Sequence, residues 1–483
     1  TVLFAKGVPV MYLPWFRHST NASRGESGVL PPRLGRSSRR GEELTLRYYH
    51  RPNAHTDYLY QLRGMSDKGI LADVSGRYLG PHLQSDWQAS LTQDTDLEQR
   101  RHHFSTASEY TVKPGARLGL TGTLAADDTY LDEFFNQTNA YLPLRAYAEH
   151  TSPLHYTALS ASYYDDLRAG VADDTTAQVL PHLQFDRIIP LTQQGEQLRL
   201  QADALAINRR TGPHYQRLIG QLGWQRPLLF TDGSMVDLSA SWRGDLYNIG
   251  DYPTGEDGLF ARSTTMLVAD WQKPYLSPSG RTLITPQAKL VLTPDTGRNT
   301  AIPNEDSVGL ELNSTNLFAN DRYSGLDRFE PGSRVVYGLS AMFGWGQDTF
   351  YQAFIGQSYR LTDNVSLLGT GGLSEQASDL VAQLEIQPFR GLNYNQRLRF
   401  DQDTFRLAQT DAELRWSDDR PDGNFLSANY TYFTGGIEEF RLRGLYNLNP
   451  RWFLETDLRR DLADNNRWLK VEVGVGYRHA CYT

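Results

Sequence analysis

Apolar and polar residues alternate along most of the chain, and the spacing typical of helices is nearly absent. Residues 469–477 read Leu-Lys-Val-Glu-Val-Gly-Val-Gly-Tyr and show the alternation most clearly. A period of two places alternate side chains on opposite faces of a β-strand. Further segments of this kind fill the last quarter of the chain, at 380–387, 392–400, 412–416, 426–433, 440–446 and 452–458. The pattern predicts an all-β protein.

Turn-forming clusters separate these segments, for example at 401–403, 417–423 and 434–436. They recur roughly every 13 to 16 residues, which corresponds to about ten residues of tilted strand plus a turn. Strands of soluble β-sandwiches usually recur about every 8 to 12 residues. The spacing therefore favours the hairpins of a large antiparallel transmembrane β-barrel with roughly two dozen strands.

Composition agrees with a membrane barrel. The mean hydropathy of -0.52 is that of a soluble protein, and no apolar run is long enough for a membrane-spanning helix. In a membrane barrel only alternate residues face lipid, so the average is low although every strand has an apolar side. Aromatic residues make up 12% of the chain and concentrate at strand ends, as they do at lipid headgroup level. The alternative is aromatic packing in the core of a soluble β-protein.

Residues 1–40 differ from the rest. Prolines at 9, 14, 31 and 32 interrupt strand pairing, because proline cannot donate to a ladder. We interpret 1–40 as a short end-strand with a linker, and 41–483 as the barrel. The chain starts at Thr1 without a signal peptide, so we expect a mature, trimmed or partial product.

Enzymatic signatures are weak. No nucleophile-elbow, zinc-protease, P-loop or dinucleotide fingerprint occurs. The carboxylate pairs 127–128, 165–166 and 438–439 are adjacent in sequence, so on a strand their members would point to opposite faces. The same geometry argues against a metal site at His102 and His103. We predict a protein that is not an enzyme, with no catalytic residue, cofactor, metal or nucleic-acid partner.

The net charge is -8, and arginine greatly outnumbers lysine among the basic residues. Codon usage in a GC-rich genome would explain this bias. The functional alternative is that arginine binds phosphate or carboxylate bidentately, as a protein that handles lipid phosphates requires.

Two ordered sets of residues carry a resemblance to a known family. The first begins with Gly-Val-Pro-Val-Met-Tyr-Leu-Pro-Trp-Phe at 7–16 and continues at 27–32, 46–49, 65–69 and 77–79. The second comprises 316–318, 322–328, 334–339 and 356–359. Together they resemble the LptD family of lipopolysaccharide-assembly proteins. The first set looks like the junction of a periplasmic jellyroll with the first barrel hairpin, and the second like a mid-barrel loop and strand.

The resemblance implies a barrel of about 26 strands in the bacterial outer membrane, preceded by the tail of a periplasmic β-jellyroll. It implies a translocon that inserts lipopolysaccharide into the outer leaflet. An LptE-like lipoprotein would plug the barrel, and an LptA-like bridge would supply it from the periplasm. Lipid A would move sideways into membrane lipid, while the saccharide would pass through the lumen and a lateral gate between the first and last strands.

Site residues are implied in the same way. The junction and lipid exit would comprise Gly7, Pro9, Tyr12 and Pro14, and the lateral-gate strand Leu44, Leu46, Arg47, Tyr48 and Tyr49. We expect Asn316, Arg322, Asp327 and Arg328 to order a loop by hydrogen bonding; substrate binding is the alternative.

This chain departs from the family in three respects. Many members have proline within the first hairpin at positions that match Arg47 and Leu62 here. The family often has an adjacent cysteine pair near Cys481, which is the only cysteine of this chain and a candidate for one disulfide with a cysteine outside it. The family also continues for several strands past that point, so we expect an incomplete sheet.

Two other functions remain open. A passive porin or uptake barrel would show no dependence on a periplasmic partner. A soluble β-rich enzyme acting on carbohydrate would need polar residues on its outward face, and the alternation predicts the opposite.

Overall fold

A computed structural model describes residues 2–5, 8–12, 27–253, 255–294, 301–309, 311–344, 349–362, 371–418, 420, 423–464 and 466–478. Strands dominate these ranges, which also contain one α-helix and one short 3-10 helix with defined bounds. Neither of these helices is long and apolar enough to cross a membrane.

The strands follow one another along the chain, and the longest connection lies between β18 and β19. Those of the first part are β1 Val2–Ala5, β2 Val8–Tyr12, β3 Gly28–Ser37, β4 Gly41–Asn53, β5 Thr56–Met65, β6 Gly69–Leu79, β7 Leu83–Asp94, β8 Gln99–Lys113, β9 Ala116–Ala125, β10 Tyr141–Ser152, β11 His155–Asp166, β12 Gln178–Pro190, β13 Gln197–Asn208 and β14 His214–Leu229. The remainder are β15 Met235–Gly250, β16 Gly258–Gln272, β17 Tyr275–Leu276, β18 Thr282–Leu292, β19 Arg334–Phe343, β20 Phe350–Arg360, β21 Leu380–Phe389, β22 Leu392–Phe400, β23 Leu407–Ser417, β24 Phe425–Phe433, β25 Ile437–Asn447, β26 Trp452–Asp461 and β27 Trp468–Tyr477. Helix α1 spans Tyr130–Phe135, and the 3-10 helix spans Asp173–Thr175.

Strands β3 to β27 form one antiparallel sheet with the strand order of a closed barrel, and β1 and β2 form a separate two-stranded sheet. The predicted all-β barrel class is confirmed, with 25 strands in the described residues. The expectation of an incomplete sheet is wrong, because strands β3 to β27 of the described residues already have the order of a closed barrel. A barrel can close with different numbers of strands, since strand number and strand tilt are linked. The jellyroll tail stays a prediction.

The large sheet begins earlier than the sequence suggested. Strand β3 pairs with β4 from Gly28 onward, within the segment interpreted as a linker ending at residue 40. Pro31 and Pro32 are accommodated because the register shifts between Leu30 and Arg33, which is how a ladder tolerates residues without an N–H.

The chain divides into two compact units. The first comprises Thr1–Ile188, Leu200–Gly220 and Asp245–Ala261; the second comprises Ile189–Arg199, Gln221–Gly244 and Arg262–Thr483. Each contains a small apolar core in which a connecting loop packs on strands. The first is formed by Met65, Leu71, Tyr130, Leu131, Phe134 and Leu142, and the second by Leu312, Leu317, Val336, Leu373 and Val381.

Large apolar side chains are exposed on one face of the strands. On β4, Leu44 and Leu46 are 44% and 50% exposed, and on β27, Val473 is 74% exposed. Thr45, which alternates with the two leucines, is buried. Apolar exposure on every second residue is the pattern of strands whose outer face contacts lipid. The structure thus assigns the lipid-facing register that the alternation alone left open.

Candidate functional site

The first hairpin of the large sheet, β3 and β4, contains the segment predicted as the lateral-gate strand. Leu44, Leu46 and Tyr48 lie on its apolar face and are exposed. Arg47 and Tyr49 alternate with them and lie on the polar face. One short segment therefore presents a lipid-facing side and a water-facing side. Strand β3 precedes it, so this segment is the second strand of the sheet.

Arg47 forms a hydrogen bond across the interruption in β3. Its Cα pairs with that of Leu30, at the point where the register shifts. The Nη2 atom of Arg47 donates a hydrogen bond of 3.1 Å to the carbonyl oxygen of Pro31. Its Nε atom is buried and has no acceptor in the described part of the chain. The polar face thus holds a guanidinium whose hydrogen-bonding capacity is only partly used.

A cavity of about 600 Å³ is lined by residues of strands β3 to β9, among them Leu30, whose Cα pairs with that of Arg47. Leu30, Tyr49 and Leu59 contribute apolar surface to its wall. Asp57 and Arg77 also line it, and they pair with each other through two hydrogen bonds of 3.0 and 2.9 Å. The cavity therefore combines an apolar wall with polar groups, which suits an amphiphilic ligand.

Helix α1, between β9 and β10, caps the opposite end of these hairpins. Its residues Tyr130, Leu131 and Phe134 are buried and pack with Met65 and Leu71. The helix ends at Asn136, which has φ 54° in the left-handed region that asparagine tolerates. We call this loop, residues 126–140, the α1 cap.

A buried ion network fixes the α1 cap to the strands. Arg101 is 1% exposed and pairs with Asp94 at 2.8 Å, with Asp127 at 2.7 Å, and with Glu133. Lys68 lies 3.6 Å from Asp94 and 3.1 Å from Glu133. Burial of charge is costly unless each charge is paired, and here opposite charges alternate through the network.

The carboxylate of Asp127 depends on this network. Burial opposes its ionisation, but the hydrogen bonds from Arg101 and Thr129 together with the charge of Arg101 outweigh burial and hold the pKa of Asp127 below its usual value. Opposite charges and donors that stabilise the ionised form produce this direction of shift. Asp127 therefore stays charged at neutral pH and can pair with Arg101.

The loop between β18 and β19 holds the four residues predicted to order it. Asn316 accepts from the N–H of Asn313 at 2.9 Å and donates to the carbonyl of Glu311 at 2.9 Å. Asp327 is fully buried and accepts from the N–H of Glu305 at 2.9 Å. Arg328 donates to the carbonyl of Ile302 at 2.7 Å. These bonds join residues of the loop to one another.

Arg322 ties the same loop to the sheet. It is almost completely buried, donates to Glu330 at 2.9 Å, and donates to the Oγ of Ser358 on β20 at 3.1 Å. Burial lowers the pKa of Arg322 to about 10, against the opposing charge of Glu330. The neighbouring Asp321 has a raised pKa, again because of burial.

The remaining predicted site residues lie in the two-stranded sheet or outside the described residues. Pro9 and Tyr12 lie on β2, in the two-stranded sheet. Gly7, Pro14 and Cys481 lie outside the described residues. Sequence reasoning missed the α1 cap, since its ion pairs connect residues that no local motif links. Within the described ranges, no group of three or more acidic, histidine or cysteine residues could hold a metal ion.

A sheet with the strand order of a barrel, an exposed apolar face and a polar face under ordered loops defines an outer-membrane β-barrel protein. A family model described as "LptD: LPS transport system D" matches residues 99–452. The chain belongs to the LptD family.

Curated relatives match at low identity but over nearly the whole chain. "LPS-assembly protein LptD" of Nitrosococcus oceani is 23% identical over 98% of this chain and 66% of its own length. The protein of the same name from Nitrosospira multiformis is 23% identical over 99% of this chain and 53% of its own. The chain thus spans between about half and two thirds of the length of these relatives.

Solved structures with some likeness include the siderophore receptor PirA from Pseudomonas aeruginosa, at 9% identity and a TM-score of 0.35 over 90% of this chain and 79% of that chain. The copper transporter OprC matches at 10% identity and a TM-score of 0.34, over 94% of this chain and 82% of that chain. Similarity at this level does not bear on function.

Proposed function

We propose that this chain is the membrane part of a protein that inserts lipopolysaccharide into the outer leaflet of the outer membrane. Membership of the LptD family carries the proposal, because the curated relatives are named for lipopolysaccharide assembly. The first hairpin supports it, since it contains the first strand of the large sheet, which the family's gate would use, and its ladder is interrupted between Leu30 and Arg33. No covalent chemistry is required of the protein.

The two faces of β4 suit the two parts of the substrate. Acyl chains need an apolar path, which Leu44, Leu46 and Tyr48 offer on the exposed face. The saccharide needs a hydrated path, which Arg47 and Tyr49 offer on the polar face. A molecule with both parts can therefore move along one strand.

Weak pairing within the hairpin would lower the cost of opening it. Pro31 and Pro32 cannot donate to the ladder, and the register shifts at that point. The family's usual prolines would stand at Arg47 and Leu62, so in this chain the interruption has moved to the preceding strand. We propose the hairpin as the lateral gate on this basis.

The proposal includes partners outside this chain. An LptE-like lipoprotein plug would occupy the lumen, and an LptA-like periplasmic bridge would deliver lipopolysaccharide through a jellyroll that joins the barrel near Gly7, Pro9, Tyr12 and Pro14. We propose that Asn316, Arg322, Asp327 and Arg328 order the long loop, and that Cys481 forms a disulfide with a cysteine outside this chain.

Depletion of the protein in its host tests the proposal. We expect lipopolysaccharide to disappear from the cell surface and to accumulate inside the cell. The chain expressed from a second copy should restore surface display. Normal display with altered solute permeability would instead indicate a passive porin or uptake barrel and would overturn the proposal.

A further inference from the structure

We infer that Arg33 and Arg47 form a binding site for a phosphate group of the transported saccharide, on the polar face of the first hairpin. The inference rests on the proposed function and identifies the part of the substrate that this hairpin recognises. The two side chains lie on adjacent strands, since Arg33 pairs with Thr45 and Arg47 follows Thr45 by two residues on the same face.

Neither guanidinium has a carboxylate partner within the described residues, although carboxylates are close by. Each nearby carboxylate is already engaged by another group. Glu43 pairs with Arg40 at 2.9 Å and Arg63 at 4.0 Å, Asp57 pairs with Arg77 at 2.9 Å, and Asp73 accepts from Gln61 and Gln88, both at 2.7 Å. The positive charges of Arg33 and Arg47 lie close enough to repel each other.

Arg47 has a structural task that accounts for only part of its side chain. Its Nη2 atom satisfies the Pro31 carbonyl at the register shift, whereas its Nε atom is buried without an acceptor. A buried donor without an acceptor is unfavourable, and an anion that approached it would remove that penalty. Arg33 is exposed and has no such structural bond among those described, so it is free to contact a ligand.

The chemistry of the pair points to phosphate. Guanidinium binds phosphate through two parallel N–H donors, and two adjacent guanidinium groups match a group with more than one negative charge. The cavity of about 600 Å³ is lined by Leu30, the ladder partner of Arg47, and by Tyr49, two residues beyond Arg47 on the same face, so it provides room next to the pair for the sugar that carries the phosphate. A phosphorylated sugar would thus be held where the acyl chains meet the apolar face.

Binding measurements on the purified full-length protein, in complex with its partners, test the site. The probes are lipopolysaccharide from the host and the same material after enzymatic removal of phosphate. Arg33→Gln and Arg47→Gln are each expected to weaken binding of the phosphorylated probe about tenfold, the factor that corresponds to one charge-assisted hydrogen bond. Neither should change binding of the dephosphorylated probe.

Two further variants separate a binding role from a structural one. Arg36→Gln removes the same charge from the opposite face of β3, where the Cα of Arg36 lies opposite that of Glu42 in the ladder, and should leave binding unchanged. Arg47→Lys keeps the charge and should retain more affinity than Arg47→Gln. Anomalous migration on gels without heating, which indicates a folded barrel, is measured for each variant.

Equal losses for both probes would overturn the inference, because they would show that the arginines act on structure. If the arginine variants lost the lipoprotein plug and still bound lipopolysaccharide, the inference would also be overturned. The anion that the arginines bind would then be a carboxylate of the plug and not a phosphate. Unchanged binding in all variants would do the same. These failures are independent of the depletion experiment, which can support lipopolysaccharide insertion whether or not this site exists.

Discussion

Replacing Arg101 with methionine should release the α1 cap from the strands beneath it. The substitution keeps most of the side-chain length but removes the charge that pairs with Asp94, Asp127 and Glu133. Removing one partner of a buried ion pair typically costs about 3–5 kcal/mol. Lys68 still compensates Asp94 and Glu133, and Asp127 is partly exposed, so we expect a value near the lower end, about 3 kcal/mol.

Hydrogen exchange measures this release directly. A local destabilisation of about 3 kcal/mol corresponds to roughly a hundredfold faster exchange of amides that open with the α1 cap. The relevant amides are those of Glu133 and Asn136, which donate to Thr129 and Asp132 at 2.9 and 3.2 Å. Amides in the middle of β8 should keep their rates, because the strand pairs with both neighbours.

Arg117 provides the matched control. It pairs with Glu109 and Glu149 in the same unit, but it is 47% exposed. Exposed pairs contribute about 0–1 kcal/mol, so Arg117→Met should change exchange of the α1 cap very little. Similar exchange in the Arg101 and Arg117 variants would refute the argument that burial makes the Arg101 network strong.

The remaining predictions concern the long loop, the first hairpin and the lipid-facing register. Asp321→Asn should stabilise the loop between β18 and β19 at neutral pH. Because the pKa of Asp321 is raised in the folded protein, the contribution of this carboxyl group to stability is greatest in acid and is lost as pH rises through its folded pKa. The stabilisation by Asp321→Asn, measured by urea unfolding, should therefore shrink in acid, and a stabilisation that persisted undiminished there would contradict the argument. Replacing Pro31 with valine and Pro32 with threonine should restore ladder donors, slow hydrogen exchange in β4 and reduce surface lipopolysaccharide; faster exchange would show strain at the register shift instead. Val473→Lys should destabilise the folded barrel by about 2–4 kcal/mol in lipid, whereas Glu472→Lys on the polar face should cost much less; equal costs in a vesicle-folding assay would mean that the register is wrong.

Much of the fold was predictable because alternation is a local signal. The segment 469–477 was identified from its pattern, and strand β27 spans Trp468–Tyr477. Strand β3 was missed because Pro31 and Pro32 locally indicate a linker, and only pairing with β4 reveals the register shift that accommodates them. Helix α1 was missed because six residues are too short to establish a helical period.

The candidate site was less predictable, since it depends on partners that are distant in sequence. Arg101 bonds to residues 26 and 32 positions further along the chain, and no spacing rule connects them. Arg47 was identified as a departure from the family pattern, but its hydrogen bond to Pro31 and its unsatisfied Nε depend on the three-dimensional position of its side chain. Sequence indicated the segment, and the structure supplied the chemistry of each side chain.

The α1 cap also constrains the order in which the barrel can assemble. Lys68 lies in the turn before β6, Asp94 on β7 and Arg101 on β8, whereas Asp127 and Glu133, which complete their network, come later in the chain. Hairpins inserted from the N-terminus would therefore leave Arg101 with Asp94 as its one carboxylate partner among the described residues until residues 126–140 arrive. The early hairpins and the cap should consequently become stable together, as one cooperative step of insertion, and not strand by strand.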